Sequence, residues 1–219
     1  MKCYASKYCK KFETEVCNQY CDLKIKLDAI YSESNIPERY KYEVPLYPRN
    51  DIEEFKKLKG YQENIVQFVR DGESLLISSS TTGNGKTTWA TKLANHYIRK
   101  TVATSDVDNE VLFINVSMFL EQMRSAYKSE DEEFESIKER AFTCKLLILD
   151  DLGAERPSDW VLERLYDLIN ERYVNMRTTI CTSNFSRIEL AERLGMRIGS
   201  RLRDFNSVEF KESDVRGRI

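Results

Sequence analysis

The chain has 219 residues, 41% of them hydrophobic and 32% charged, with a formal net charge of −2. That length suits one main domain with room for a small appendage, and the apolar share suits a packed core. The near-neutral balance excludes a globally basic nucleic-acid coat, so DNA contact would need local basic patches. No apolar run approaches the length of a bilayer span, and MKCYASKYCKKF lacks a signal-peptide core. A cytoplasmic location (that of the host, if the chain is phage-encoded) with no membrane partner is therefore expected.

Residues 1–35 hold four of the six cysteines: Cys3, Cys9, Cys17 and Cys21. In a reducing compartment such a cluster suits a metal better than disulfides. Cys17 and Cys21 have the spacing of a zinc pair, whereas Cys3 and Cys9 are more widely spaced than usual. Two readings stay open: four thiolates closing a structural Zn²⁺ site, or free thiols. The next segment, NIPERYKYEVPLYPRN, carries three of the four prolines and reads as a linker or irregular lead-in to a second unit, residues 36–219.

Beyond it, Ile52 and Phe55 belong to short helical stretches, and Tyr61, Ile65, Phe68 and Val69 share one helical face. Asp71-Gly72 is a turn signal. Strands are then expected at 74–78, 111–116, 145–150, 178–183 and 207–210. Helices are expected at 86–100, near 117–128 and near 131–142, with two short ones before the last strand. A further helix opens after Pro157, with Ser158 as its N-cap and Leu162, Leu165, Tyr166, Ile169 and Tyr173 as its apolar face. The run SEDEEFE suits a solvated acidic helix start. Cys144 and Cys181 suit small buried hydrophobes, and the sole histidine, His96, suits a structural role. Strands separated by helices indicate an α/β fold with a parallel sheet covered on both faces.

The segment from Ser80 to Thr87, STTGNGKT, follows a strand and opens a helix, as a phosphate-binding P-loop requires. Thr82, Gly83, Asn84, Gly85, Lys86, Thr87 and Thr88 are its candidate nucleotide-binding residues. Small residues let backbone N–H groups surround phosphate oxygens, and the helix N-terminus adds partial positive charge. Lys86 would reach the β- and γ-phosphates of ATP, and Thr87 would place its hydroxyl on Mg²⁺. The usual first glycine is Ser80 here, and a left-handed backbone there would cost Ser more than Gly.

The 145–150 strand ends in Asp150-Asp151. Ligands bind beyond the carboxyl ends of parallel strands, so Asp150 is expected to hold Mg²⁺ through a water. Asp151 is expected to orient or deprotonate the attacking water. Asn184, after Thr182-Ser183, suits either a hold on that water or on the γ-phosphate, or a turn.

Taken together, TTGNGKTTWA, LLILDDLG, TSN, RIGSRL and the terminal DVRGR resemble the AAA+ ATPases of the DnaC/DnaI helicase-loader family over residues 36–219. The resemblance implies a P-loop AAA+ core that hydrolyses ATP and associates with itself when ATP is bound. It implies that Arg201 is an arginine finger acting on a neighbouring subunit, that Arg216 is a second nucleotide sensor, and that Arg197 has a lesser role beside the finger. It also implies two partners, the hexameric replicative DNA helicase and single-stranded DNA. The amino-terminal segment would contact the helicase, and the 117–142 insert would contact DNA. Arg124, Tyr127 and Lys128 suit such a DNA contact or an ordinary helix surface. The same core motifs occur in IstB-type transposition helpers, and a nucleotide-switched helicase decoy is the alternative outside catalysis.

Overall fold

The five expected strands form as β1 (Leu75–Ser78), β2 (Val111–Asn115), β3 (Leu146–Asp150), β4 (Thr178–Ser183) and β5 (Asn206–Glu209). The computed structural model describes residues 3–6, 9–18, 20–42, 46–47, 51–104, 107, 109–126, 132–155 and 158–211. The strands make one parallel sheet in the order β2-β3-β4-β1-β5. Parallel pairing brings all the carboxyl ends to one edge, where Asn115 lies beside Asp150 and Ser78 beside Ser183. Polar residues therefore rim the edge at which such sheets bind ligands.

Side chains alternate across a strand, and here both faces are apolar. Leu75, Ile77, Ile148 and Ile180 face one core, and Leu76, Leu147, Leu149 and Cys181 face the other. Each such burial removes a side chain from water, about 1.5–3 kcal/mol in transfer terms. The first core is covered by α1 (Asp22–Glu33), α3 (Ile52–Glu63), α4 (Ile65–Arg70) and α5 (Lys86–Thr101). The second is covered by α6 (Val116–Ala126), α7 (Glu132–Thr143), α8 (Asp159–Val174), α9 (Arg187–Leu194) and α10 (Met196–Arg203). One more helix, α2, is a single turn over Glu38–Lys41. No helix among the described residues is long and apolar enough to cross a membrane.

The amino-terminal segment joins the first core through Ala5, Leu27, Ile30 and Tyr31. Among the described residues, no group of three or more His, Cys, Asp or Glu side chains is placed to hold a metal. Cys3, Cys9, Cys17 and Cys21 do not form such a group among the described residues. Cys3 and Cys9 pack on the apolar cluster instead, as free thiols often do.

Two helical expectations are corrected. The face shared by Tyr61, Ile65, Phe68 and Val69 is split at Asn64, which ends α3 and starts α4. The aromatic contact survives the break, with the Tyr61 and Phe68 rings 5.3 Å apart. In α8, Ser158 caps Val161 N–H as expected. Leu165 and Ile169 are buried and Leu162 and Tyr166 pack half-buried on the same core as expected, but Tyr173 is exposed, and Val161, Leu168 and Arg172 complete the buried face. Arg172 is fully buried. Its guanidinium donates to the carbonyls of Ala141 (3.0 Å), Cys144 (2.9 Å) and Thr178 (2.5 Å), and to Thr179 Oγ1 (3.0 Å). A helix-end carbonyl cluster can satisfy five planar donors, and this cluster ties α7 to α8 and β4.

Candidate nucleotide-binding site

The phosphate loop bridges β1 and α5. Left-handed backbone is needed at Gly83 (φ 81°) and at Gly85 (φ 87°), which caps α5. Ser80 is not left-handed, so the departure from the usual glycine carries no backbone strain of that kind. Lys86 is buried, and its Nζ donates to Thr81 O (3.0 Å) and Asn84 Oδ1 (3.2 Å). Asn84 Nδ2 in turn donates to Thr81 O at 3.1 Å. The amine is thereby held over the mouth of the loop, at the start of a helix whose N-terminal N–H groups favour anions.

Across from the loop, Thr87 Oγ1 donates to Asp150 Oδ1 at 2.8 Å, joining two residues 63 positions apart. Thr182 Oγ1 donates to the same oxygen at 2.7 Å. Burial pushes the Asp150 carboxyl above its ordinary value, against the opposing effect of these two hydroxyl donors. Thr182 Oγ1 also accepts the Asp151 N–H at 3.0 Å. Asp151 has left-handed backbone, φ 60°, a conformation that Asp tolerates better than most residues. This turn lifts the second carboxylate off the strand line.

A hydroxyl and a carboxylate, both hard oxygen donors, suit Mg²⁺, which favours few protein ligands plus phosphate oxygens and water. The pairing of Thr87 with Asp150 is such a donor set.

These groups line one cavity of about 730 Å³, within the size range of small-molecule and cofactor sites. It gathers Thr82, Gly83, Asn84, Gly85, Lys86, Thr87, Thr88, Asp150, Asp151 and Asn184. Asn35, Pro37, Arg39 and Tyr40 also line it, as do Met118, Phe119 and Gln122 of α6 and Ile137 of α7. Sequence reasoning treats 35–40 as a lead-in and places no cavity there. It also misses Thr182, because only the pairing of Leu149 with Cys181 sets that hydroxyl beside Asp150. A threonine one step past that pairing is the available signal, but register is not visible in a single strand.

The remaining expected residues lie elsewhere. Arg201 is on α10, where its Nε donates to Asn170 Oδ1 (2.9 Å) and its guanidinium stacks 4.7 Å from the Tyr173 ring centroid. Arg197 stacks on Tyr166 at 3.8 Å. Neither lines the cavity. Arg124 is exposed on α6, over Trp160 at 5.0 Å. Arg216, Tyr127 and Lys128 lie outside the described residues.

Comparison with known proteins gives a concordant picture. Residues 42–196 match the family described as IstB-like ATP binding protein. The replicative helicase loader DnaC of Escherichia coli (strain K12) is 23% identical over 173 residues, covering 78% of this chain and 62% of that protein. The chain spans about half to three-fifths of the length of the curated relatives it matches. A crystal structure of the DnaC helicase loader superposes with a TM-score of 0.66 at 23% identity, covering 80% of this chain and 100% of that one. A DnaI crystal structure gives 0.63 at 20% identity, covering 80% and 95%. The fold is thus the P-loop AAA+ fold seen in DnaC, with a five-stranded parallel sheet among helices. With 42–196 matched, a P-loop at the sheet edge and an acidic strand end facing it, the chain belongs to the IstB-like ATP-binding protein family.

Proposed function

We propose that this protein hydrolyses ATP and uses it to load the hexameric replicative DNA helicase onto single-stranded DNA. The observation that supports the enzymatic part most directly is the 2.8 Å contact between Thr87 and Asp150 inside the cavity that also contains Lys86 and Asn184. In this reading the N–H groups of Thr82 to Thr88 and the Lys86 amine hold the β- and γ-phosphates. Thr87 would hold Mg²⁺ by its hydroxyl and Asp150 through a water, and the ion would supply charge neutralisation on the phosphate oxygens. Asp151 orients or deprotonates the attacking water, and Asn184 holds that water or the γ-phosphate by its amide. Phosphoryl transfer asks mainly for positioning and electrostatic stabilisation, and these polar side chains at the sheet edge are suited to both.

Arg201 supplies transition-state charge to a neighbouring subunit, and Arg216 senses the nucleotide. The position of Arg201 on α10, apart from its own subunit's cavity, supports action in trans. Arg201→Ala is expected to leave ATP binding by single subunits intact and to lower assembly-dependent turnover by about 10³-fold or more, as loss of such a finger does. Mixing Arg201→Ala with Lys86→Ala subunits should restore part of the rate, because some interfaces then pair an intact loop with an intact finger. Steady-state phosphate release across mixing ratios measures this, and a flat profile at the level of the single variants rejects action in trans.

The loader assignment rests on the likeness to DnaC and DnaI and on the helicase-loader motif series. Its test is co-purification with the cognate replicative helicase, with and without ATP. A nucleotide-dependent complex is expected, and no complex under either condition contradicts the proposal. A second reading, a transposition helper, is favoured by the description of the matched family. It gains if residues 1–35 capture a transposase and leave helicase binding unaffected.

A further inference from the structure

The phosphate loop accounts for one end of the cavity. Asn35, Pro37, Arg39 and Tyr40, about forty residues upstream of the loop, line the same cavity. That segment is weakly built. Its only helix, α2, has four residues, no side-chain N-cap and no buried residue. Before it, Ser34 O accepts the Phe113 N–H at 2.8 Å, anchoring the segment to β2. After it, Asn95 Nδ2 donates to Tyr40 O at 2.6 Å. Asn95 belongs to α5, the helix that begins with Lys86 and Thr87. One rigid element therefore carries the phosphate-binding residues at its start and, more than two turns on, the tether of the upstream segment that lines the same cavity.

Asn95 is 2% exposed, and its Oδ1 has no hydrogen-bond partner. A buried amide that uses half of its capacity destabilises its site, where an apolar side chain of similar size would not. Stability therefore does not explain an amide at this position, whereas holding a backbone carbonyl does. The recess beside it is about 10 Å³, about the size of one water, so the amide serves no separate ligand.

We propose that Asn95 is a positioning residue for base recognition: it sets segment 37–40 at a fixed distance from the phosphate loop, so that the wall meets the nucleoside end of ATP. The proposal rests on the reading of the cavity as the nucleotide site. Asn95→Leu removes the donor at similar volume, and Asn95→Asp removes it while keeping the shape.

The probes are ATP, GTP and inorganic tripolyphosphate, each with Mg²⁺, measured by displacement of a fluorescent ATP analogue. Both variants are expected to lose about tenfold in ATP affinity, the effect of one hydrogen bond's worth of ordering. Their preference for ATP over GTP should shrink, and tripolyphosphate binding should stay within about twofold of the unmodified protein. Unchanged ATP affinity in a folded variant overturns the proposal. An equal fall for ATP and tripolyphosphate also overturns it, because the damage then lies in the loop. If neither variant folds by circular dichroism, Asn95 belongs to the core and the proposal fails. Lys86→Ala in the same assay separates the two readings: if it spares ATP and tripolyphosphate alike, the cavity assignment fails before that of Asn95.

Discussion

Lys86→Ala is expected to weaken Mg-ATP binding by about 10- to 100-fold, the loss attached to a charged donor on phosphate oxygens. The Lys86 amine already rests on Thr81 O and Asn84 Oδ1, buried at the head of α5. The loop geometry depends on the glycines at 83 and 85, which the substitution leaves alone. Nucleotide-free stability should therefore change little, while stabilisation by ligand should fall. At an ATP concentration about 100 times its Kd, the unmodified protein gains about 2.7 kcal/mol from binding. In a domain of this size that is a rise of about 5–11 °C in Tm. A thermal-shift measurement at the same ATP concentration should find about half of this rise missing in the variant at 10-fold weakening and most of it missing at 100-fold. An undiminished shift rejects the phosphate-loop assignment.

Asp150→Asn should separate stability from function in the opposite direction. Burial raises the Asp150 pKa above its ordinary value near 3.8, despite the hydroxyl donors Thr182 and Thr87. The folded chain thus holds this proton more tightly than the unfolded chain does. Between 3.8 and the raised folded value, stability falls as pH rises, and at neutral pH the full cost of the buried charge is present. Replacing the carboxylate by an amide removes that cost, and the amide Oδ1 can still accept from both hydroxyls. Nucleotide-free Tm at pH 7 should rise, by about 2–4 °C for each kcal/mol of relieved desolvation. The Mg²⁺ dependence of ATP binding should be lost together with turnover. The gain in Tm should also shrink as the pH is lowered through the raised folded pKa, because the native carboxyl then takes up its own proton. A Tm that falls at pH 7 contradicts a net desolvation cost at Asp150, and retained Mg²⁺-dependent binding contradicts the metal role.

The parts of the site that are legible in the sequence are those whose geometry is local. A strand, a glycine-containing loop and a helix opening on Lys86-Thr87 lie within a few residues of one another, so the pattern itself specifies the cradle. The strand LLILD, apolar up to its acidic tip, announces both burial and its polar end. The β4 strand and the Ser158 cap are equally readable, from a run rich in β-branched residues and from hydroxyl position. The burial of α8 is not. Its helical period admits Tyr173 as a core residue, yet Arg201 of α10 takes that ring and Arg172 turns inward. Propensity cannot rank a tyrosine against an arginine when the arginine's partners are carbonyls from other elements. The cysteine spacing likewise describes only chain separation, and packing placed Cys3 and Cys9 on the apolar cluster.

By itself the sequence determined the strand–helix alternation, the phosphate loop and the acidic strand end, because each is written in contiguous residues and their periodicity. Only the tertiary structure decided that Thr182 shares an oxygen of Asp150 with Thr87, that segment 35–40 walls the cavity, and that Asn95 tethers it. Those contacts join positions 32 to 63 residues apart. Their existence depends on sheet order and on the crossing of α2 over α5, which are set by the burial of both sheet faces at once and by no single segment.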